Sequence, residues 1–271
     1  MRAYSVDIEF TWGFQARVAG LGKSSPSFLF PPPTTLIGAI AASYGRRVRR
    51  GEAEGVKLML ELSRSILALS FRTINAIPLT FMDVGRVIAP GSREGVNYPT
   101  AKDVLVHKSF DAPARGSTIM GSIDDEPPRI RYVLVVKDEA PITPEDLWSI
   151  RRLGSKESLV SVVRVEEVPV SRLGGSINER KLTLYATPRV EGLQAEEHGP
   201  VAREFYVNPY RVDRSPSAAY VQGAEVVPYL IPLSLEHAEG YLGVWGALEE
   251  YSFYEVEDPE KGANVVVGVA R

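Results

Sequence analysis

The stretch Phe28-Leu-Phe-Pro-Pro-Pro-Thr-Thr-Leu-Ile-Gly-Ala-Ile-Ala-Ala-Ser43 constrains this chain more than any other. Three consecutive prolines have no N–H to give to a strand ladder or a helix interior, yet their fixed φ suits the first turn of a helix. An apolar run therefore stops at Phe30 and a helix begins near Thr34, where Thr34 or Thr35 offers a hydroxyl cap. A loop is thereby locked against a helix N-terminus. Just upstream lie Phe10-Thr-Trp-Gly-Phe-Gln-Ala-Arg17 and Gly22-Lys-Ser-Ser25. Aromatic, basic and hydroxyl groups crowd this strand–loop–helix junction.

Alternation over residues 4–10 predicts a half-buried strand, and the apolar spacing over 34–47 and 54–65 predicts two helices. Residues 66–83 read as one or two strands broken at Pro78. From 84 to 128, glycines and prolines replace periodicity, and a loop of that length is usually functional or mobile. Arg129–Val136 is a strong strand. Thr143-Pro-Glu-Asp146 opens a helix with a hydroxyl cap, a proline and first-turn acids, and the helix is expected to run to Arg152 and stop at Gly154. Leu159–Val168 is a further strand. This order predicts an α+β fold: a ferredoxin-like β-α-β-β-α-β domain over residues 1–180 with an insertion at 84–128. Its four-stranded sheet is the platform that RNA-recognition modules use. Residues 181–271 read as a β-rich extension, with strands at 181–186, 202–207, 224–233, 251–255 and 265–269.

Charge is unevenly spread. The chain carries −3 overall, but residues 1–100 carry +5 and residues 182–271 carry −8. The basic end suits a polyanion, while the acidic end suits protein or solvent. The chain has no cysteine, which excludes disulfides, thiol catalysis and cysteine-bound metal, and with three glutamines and five asparagines it points to a thermophilic source. No run of about 18 apolar residues occurs and the N-terminus reads as a strand, so a cytoplasmic location is the expectation.

Arg46, Arg47, Arg49 and Arg50 cluster at the end of the first helix, more cations than the helix dipole requires. They suit phosphate or an acidic partner. Arg151-Arg-Leu-Gly-Ser-Lys-Glu-Ser158 offers amides and cations to a nucleic-acid backbone, or a plain glycine C-cap; it lacks the spacing of a nucleotide-binding loop. His107, His198 and His237 lie too far apart in sequence for a metal pair. His107-Lys108 supplies a base and a cation for metal-independent RNA cleavage, or is an exposed loop pair. No cofactor motif is present.

The segments Phe10–Arg17, Phe30-Pro-Pro-Pro-Thr-Thr-Leu-Ile-Gly38 and Leu153-Gly-Ser-Lys-Glu-Ser-Leu-Val160 together resemble the Cas-five family of CRISPR-associated proteins, in the RAMP superfamily. The version here is most like the archaeal subtype I-A branch. The resemblance implies a subunit of the Cascade interference complex that holds the 5′ handle of the guide RNA and caps the filament of backbone subunits, with the large subunit as a further partner. The 84–128 insertion would be a thumb-like hairpin folding over RNA. In one branch the family cuts precursor RNA with Tyr, Lys and His side chains; Tyr98, Lys108 and His107 supply those types here. A metal-independent endoribonuclease is therefore the alternative to a non-catalytic binder. On this reading the RNA-binding residues are Trp12, Phe14, Arg17, Lys23, Arg46, Arg47, Arg152 and Lys156, while Phe10 and Phe28 are core.

Overall fold

The computed structural model describes residues 1–16, 26–84, 87–88, 92–93, 96–97, 110–111, 114–155, 157–213 and 225–270. The longer elements are β1 (Arg2–Phe10), α1 (Pro33–Arg47), α2 (Gly55–Ser63), β2 (Ile66–Thr73), β3 (Ala76–Val84), β4 (Ala114–Ser122), β5 (Arg129–Val136), α3 (Pro144–Trp148), β6 (Val160–Val168), β7 (Val170–Gly174), β8 (Ser176–Thr183), β9 (Leu193–His198), β10 (Val201–Val207), β11 (Val226–Pro232), β12 (Tyr241–Ala247), β13 (Tyr251–Asp258) and β14 (Gly262–Val269).

One sheet organises the molecule, in the order β6-β1-β5-β2-β14-β13-β7, with every neighbouring pair antiparallel. The edge strands β6 and β7 are separated in the chain by Pro169 alone. Two edges joined by one residue force the sheet to curl round on itself. One face packs Tyr4, Val6, Ile8, Phe71, Tyr132 and Leu134 against Leu36, Ile37 and Ile40 of α1 and Leu58 and Leu62 of α2. The opposite face lines the inside of the curl with smaller side chains, Ala3, Ala68, Val133, Val135 and Val266, closed by Tyr185 and Tyr254. Those residues alternate along each strand, the period of a sheet buried on both faces. The face that an RNA-recognition platform would leave open is thus filled, which corrects the platform expectation.

A charged row closes one end of the curl. The strand registers place Arg164, Asp7, Arg131 and Arg72 side by side across β6, β1, β5 and β2. Arg131 is 0% exposed; it bonds Asp7 at 2.6 and 2.7 Å and Asp258 at 2.9 Å. Arg72 bonds Asp258 at 2.7 Å, the Tyr185 hydroxyl donates to Asp258 at 2.6 Å, and Glu260 bridges both arginines. Burial opposes the charge on Asp258, but the Arg72 hydrogen bond and field outweigh it and hold its carboxyl well below the usual carboxylate range.

The proline segment behaves as its chemistry demands, with one correction. Pro33 opens α1, but no hydroxyl caps it: Thr34 is buried, and Thr35 N–H donates to Pro32 C=O at 2.8 Å. The free amides just upstream are met from far away. Leu29 and Phe30 N–H donate to the Glu204 carboxylate of β10 at 2.6 and 3.0 Å, and the Tyr206 hydroxyl donates to it as well. Burial raises the Glu204 pKa, and these three donors pull it back only in part.

Four further expectations change. The break between β2 and β3 falls at Ile74-Asn75, and Pro78 lies inside β3, an edge strand of a three-stranded sheet where its missing N–H is tolerated. Part of the expected loop is strand: β4 pairs with β3 from Ala76↔Ser122 to Val84↔Ala114. α3 ends at Trp148, well short of Arg152, although its N-terminal design holds, with the Asp146 carboxylate accepting from Thr143 N–H at 3.0 Å. The expected boundary at 180/181 falls inside β8, and β13 and β14 join the N-terminal sheet, so the C-terminal residues are built into that sheet.

Candidate nucleic-acid interface

Two segments more than 130 residues apart in sequence meet at one surface. The short strand Gly13–Phe14 pairs with Ile119 and Thr118 of β4. The turn after α3 docks onto that segment from the other side. Trp12 Nε1 donates to Glu157 C=O at 2.7 Å, Ser155 N–H donates to Gln15 C=O at 3.1 Å, and Gln15 N–H donates to Ser158 Oγ at 2.9 Å. Gln15 Nε2 reaches Ser117 Oγ at 2.8 Å, tying in the β3–β4 hairpin. Gly154 makes the contact possible: its φ is +117°, and a Cβ there would lie 2.7 Å from Gln15 C=O.

This surface presents a half-buried indole at Trp12 and two exposed guanidinium groups at Arg151 and Arg152. Among the described residues neither arginine has an ion-pair partner. Arg46 extends the basic side: its guanidinium donates to Ser43 Oγ at 3.0 Å and to Ser149 C=O at 2.8 Å, bringing the end of α1 against the segment that leads to Arg151. A flat indole beside uncommitted guanidinium groups suits stacked bases and phosphates.

Two expected site residues are corrected. Phe14 is 0% exposed and packs 6.3 Å from Phe10, so its ring faces belong to the core and no base can stack on it. Arg47 is committed within the fold: Nε and Nη2 each reach an Asp146 carboxylate oxygen at 2.8 Å, Nη2 also reaches Pro141 C=O, and the guanidinium lies 5.1 Å from the Tyr44 ring. The hydrogen bond to Asp146 raises its pKa further. Arg47 joins α1 to α3. Arg17, Lys23, Lys156, Tyr98, His107 and Lys108 lie outside the described residues. Gln15 and Ser158, which hold the two segments together, were not singled out from the sequence. Their signal was present only as two polar segments, each carrying a glycine. Among the described residues no group of His, Asp and Glu is arranged to hold a metal ion, and no helix is long and apolar enough to cross a membrane.

The whole chain is similar to a CRISPR protein from Archaeoglobus fulgidus known from its crystal structure, with 36% identity, 100% of each chain covered and a TM-score of 0.69. The curled antiparallel sheet with helices on one face is thus that of a CRISPR-associated protein of the RAMP-like class. Two curated relatives from Saccharolobus solfataricus narrow this. CRISPR-associated protein Cas5 2 is 25% identical over 211 residues, covering 76% of this chain and 75% of the relative. CRISPR system aCascade subunit Cas5 1 is 29% identical over 184 residues, covering 65% and 69%. No family model matches the chain. The chain belongs to the Cas5 family and thus to the proteins of CRISPR defence.

Proposed function

We propose that this chain is a non-catalytic subunit of a type I-A Cascade interference complex, which holds the 5′ handle of the guide RNA and caps the filament of backbone subunits. The observation that carries this reading is the junction of the Trp12 segment with the Arg152–Ser158 turn, where an indole and free guanidinium groups share one surface. The aCascade name of the Saccharolobus relative supports membership in such a complex, with the backbone and large subunits as partners. A ferredoxin-like core is part of the proposal. Its support is the order β6-β1-β5-β2, the fourth, first, third and second strands of a β-α-β-β-α-β unit. The β3–β4 hairpin is then the root of the thumb-like insertion. It sits beside the interface, with Met120 N–H donating to Trp12 C=O at 3.0 Å.

Photo-crosslinking a handle RNA in the assembled complex tests the reading. Crosslinks are expected within residues 10–17 and 151–158, and crosslinks confined to other surfaces would overturn it. Cutting of precursor RNA is assigned to a separate endonuclease. Purified chain incubated with precursor repeat RNA in EDTA is expected to leave it intact. Cleavage that His107→Ala abolishes would reverse that assignment.

A further inference from the structure

The three-stranded sheet β8-β12-β9 carries an exposed aromatic strip that the guide-RNA reading does not use. Register places its members on one face. His198 lies opposite Tyr241, Glu196 and Leu182 flank Gly243, and Gln194 lies opposite Trp245. The Tyr241 and His198 rings stack with centroids 4.6 Å apart and 13° between planes. Arg180 lies flat across the sheet, its side chain passing over Gly243, where a Cβ would come within 2.5 Å of Arg180 Cδ. Its guanidinium ends 5.4 Å from the Trp245 ring and pairs with Glu196, which also faces His198 Nε2 at 3.4 Å. Leu182 is 48% exposed and Tyr241 37%.

Two ligands suit a row of π faces, a nucleobase or a guanidinium, and the field decides between them. Residues 182–271 carry −8, which repels a phosphate backbone and draws cations. The negative faces of aromatic rings attract cations too, and arginine stacks on them better than lysine. The Arg180–Trp245–Glu196 group already shows how this face holds a guanidinium.

We infer that the β8-β12-β9 face is a docking strip for an arginine-bearing basic segment of a partner protein, with a partner guanidinium on the free side of the Tyr241–His198 stack. The test uses the full chain with Trp12→Phe and Trp148→Phe, which leaves Trp245 as the fluorescent reporter. Octa-arginine is expected to quench Trp245 and to bind at least fivefold tighter than octa-lysine. The paired substitution Tyr241→Ala/His198→Ala is expected to weaken octa-arginine at least tenfold, and Tyr241→Phe to retain binding. Leu182→Arg, at an exposed site that tolerates a long side chain, is expected to weaken it at least fivefold with the thermal midpoint kept. Glu249→Gln/Glu250→Gln, a charge change off the strip, is expected to change it less than twofold. Equal affinity for the two peptides, or equal loss from the off-strip pair and the strip variants, would overturn the inference. So would an oligouridine that binds more tightly than octa-arginine and loses affinity with the strip substitutions.

Discussion

Removing the Glu204 carboxylate would take the acceptor from the Leu29 and Phe30 amides in a largely buried site. Glu204→Ala is therefore expected to cost about 3 kcal/mol in urea unfolding, the range for leaving buried donors without an acceptor. No pattern around Phe28–Ser43 announced this clamp, because its acceptor comes from a strand about 170 positions later. Arg47 and Phe14 make a related point. Both look like ligand groups in a sequence, an arginine in a cluster and an aromatic in a polar loop, yet Asp146 and the core claim them. Arg47→Ala would leave the 1% exposed Asp146 without its ion-pair partner, holding only its bonds from Thr143, and a loss of roughly 1–3 kcal/mol is expected, discounted for the partial exposure of Arg47. Thermal unfolding checks it: a midpoint unchanged from that of the parent chain would contradict the structural role. Trp12 and Arg152 were legible as candidates because their residue types match the chemistry. Their juxtaposition was not, since it depends on the pairing of distant turns.

At the scale of elements, the segments with the strongest local signals came out as read: β1, α1, β5 and β6 were all visible, three as β-branched or alternating runs and one as a proline-led helix. The strands β7, β9 and β12 were missed. They are short and partly exposed, so apolar alternation is weak, and their partners lie far off in the chain. The closed end of the curl was hidden for another reason. Asp7, Arg72 and Arg131 alternate with apolar neighbours, which is the pattern of a solvated strand face, yet all three are buried and paired with one another or with Asp258. That closure is expected to weaken in acid. Asp258 and Glu260 both have carboxyls held below their ordinary values, burial opposing and the arginines prevailing. A depressed folded-state pKa contributes stability that is complete above the unfolded value, about 4, and is lost as pH falls through the folded one. The thermal midpoint is thus expected to drop steeply below about pH 4, and Asp258→Asn to flatten that drop while lowering stability at pH 7. An Asp258→Asn variant with the parent acid profile would contradict the account. At the interface, Gly154→Val is expected to free the 153–158 turn from Gln15, because its +117° backbone and the 2.7 Å approach leave no room for a side chain.

Over the whole molecule, charge and architecture divide the work. The basic N-terminal third supplies α1 and the Trp12 segment, and the turn at 151–158 is folded onto it. The acidic C-terminal third completes the curl, clamps the proline segment through Glu204, and turns an aromatic strip outward. The inner face of the sheet is filled, and the proposed reading places the RNA at the edge, where the β3–β4 hairpin, Trp12 and the glycine turn converge. The central claim is that this edge holds the guide-RNA handle. The most direct measurement is the affinity of a handle RNA for the full chain and for Trp12→Ala/Arg152→Glu, with folding of both verified by their thermal midpoints. The account predicts a loss of at least tenfold, against less than twofold for Glu249→Gln/Glu250→Gln. Equal affinity of the folded Trp12→Ala/Arg152→Glu variant and the parent chain would contradict it.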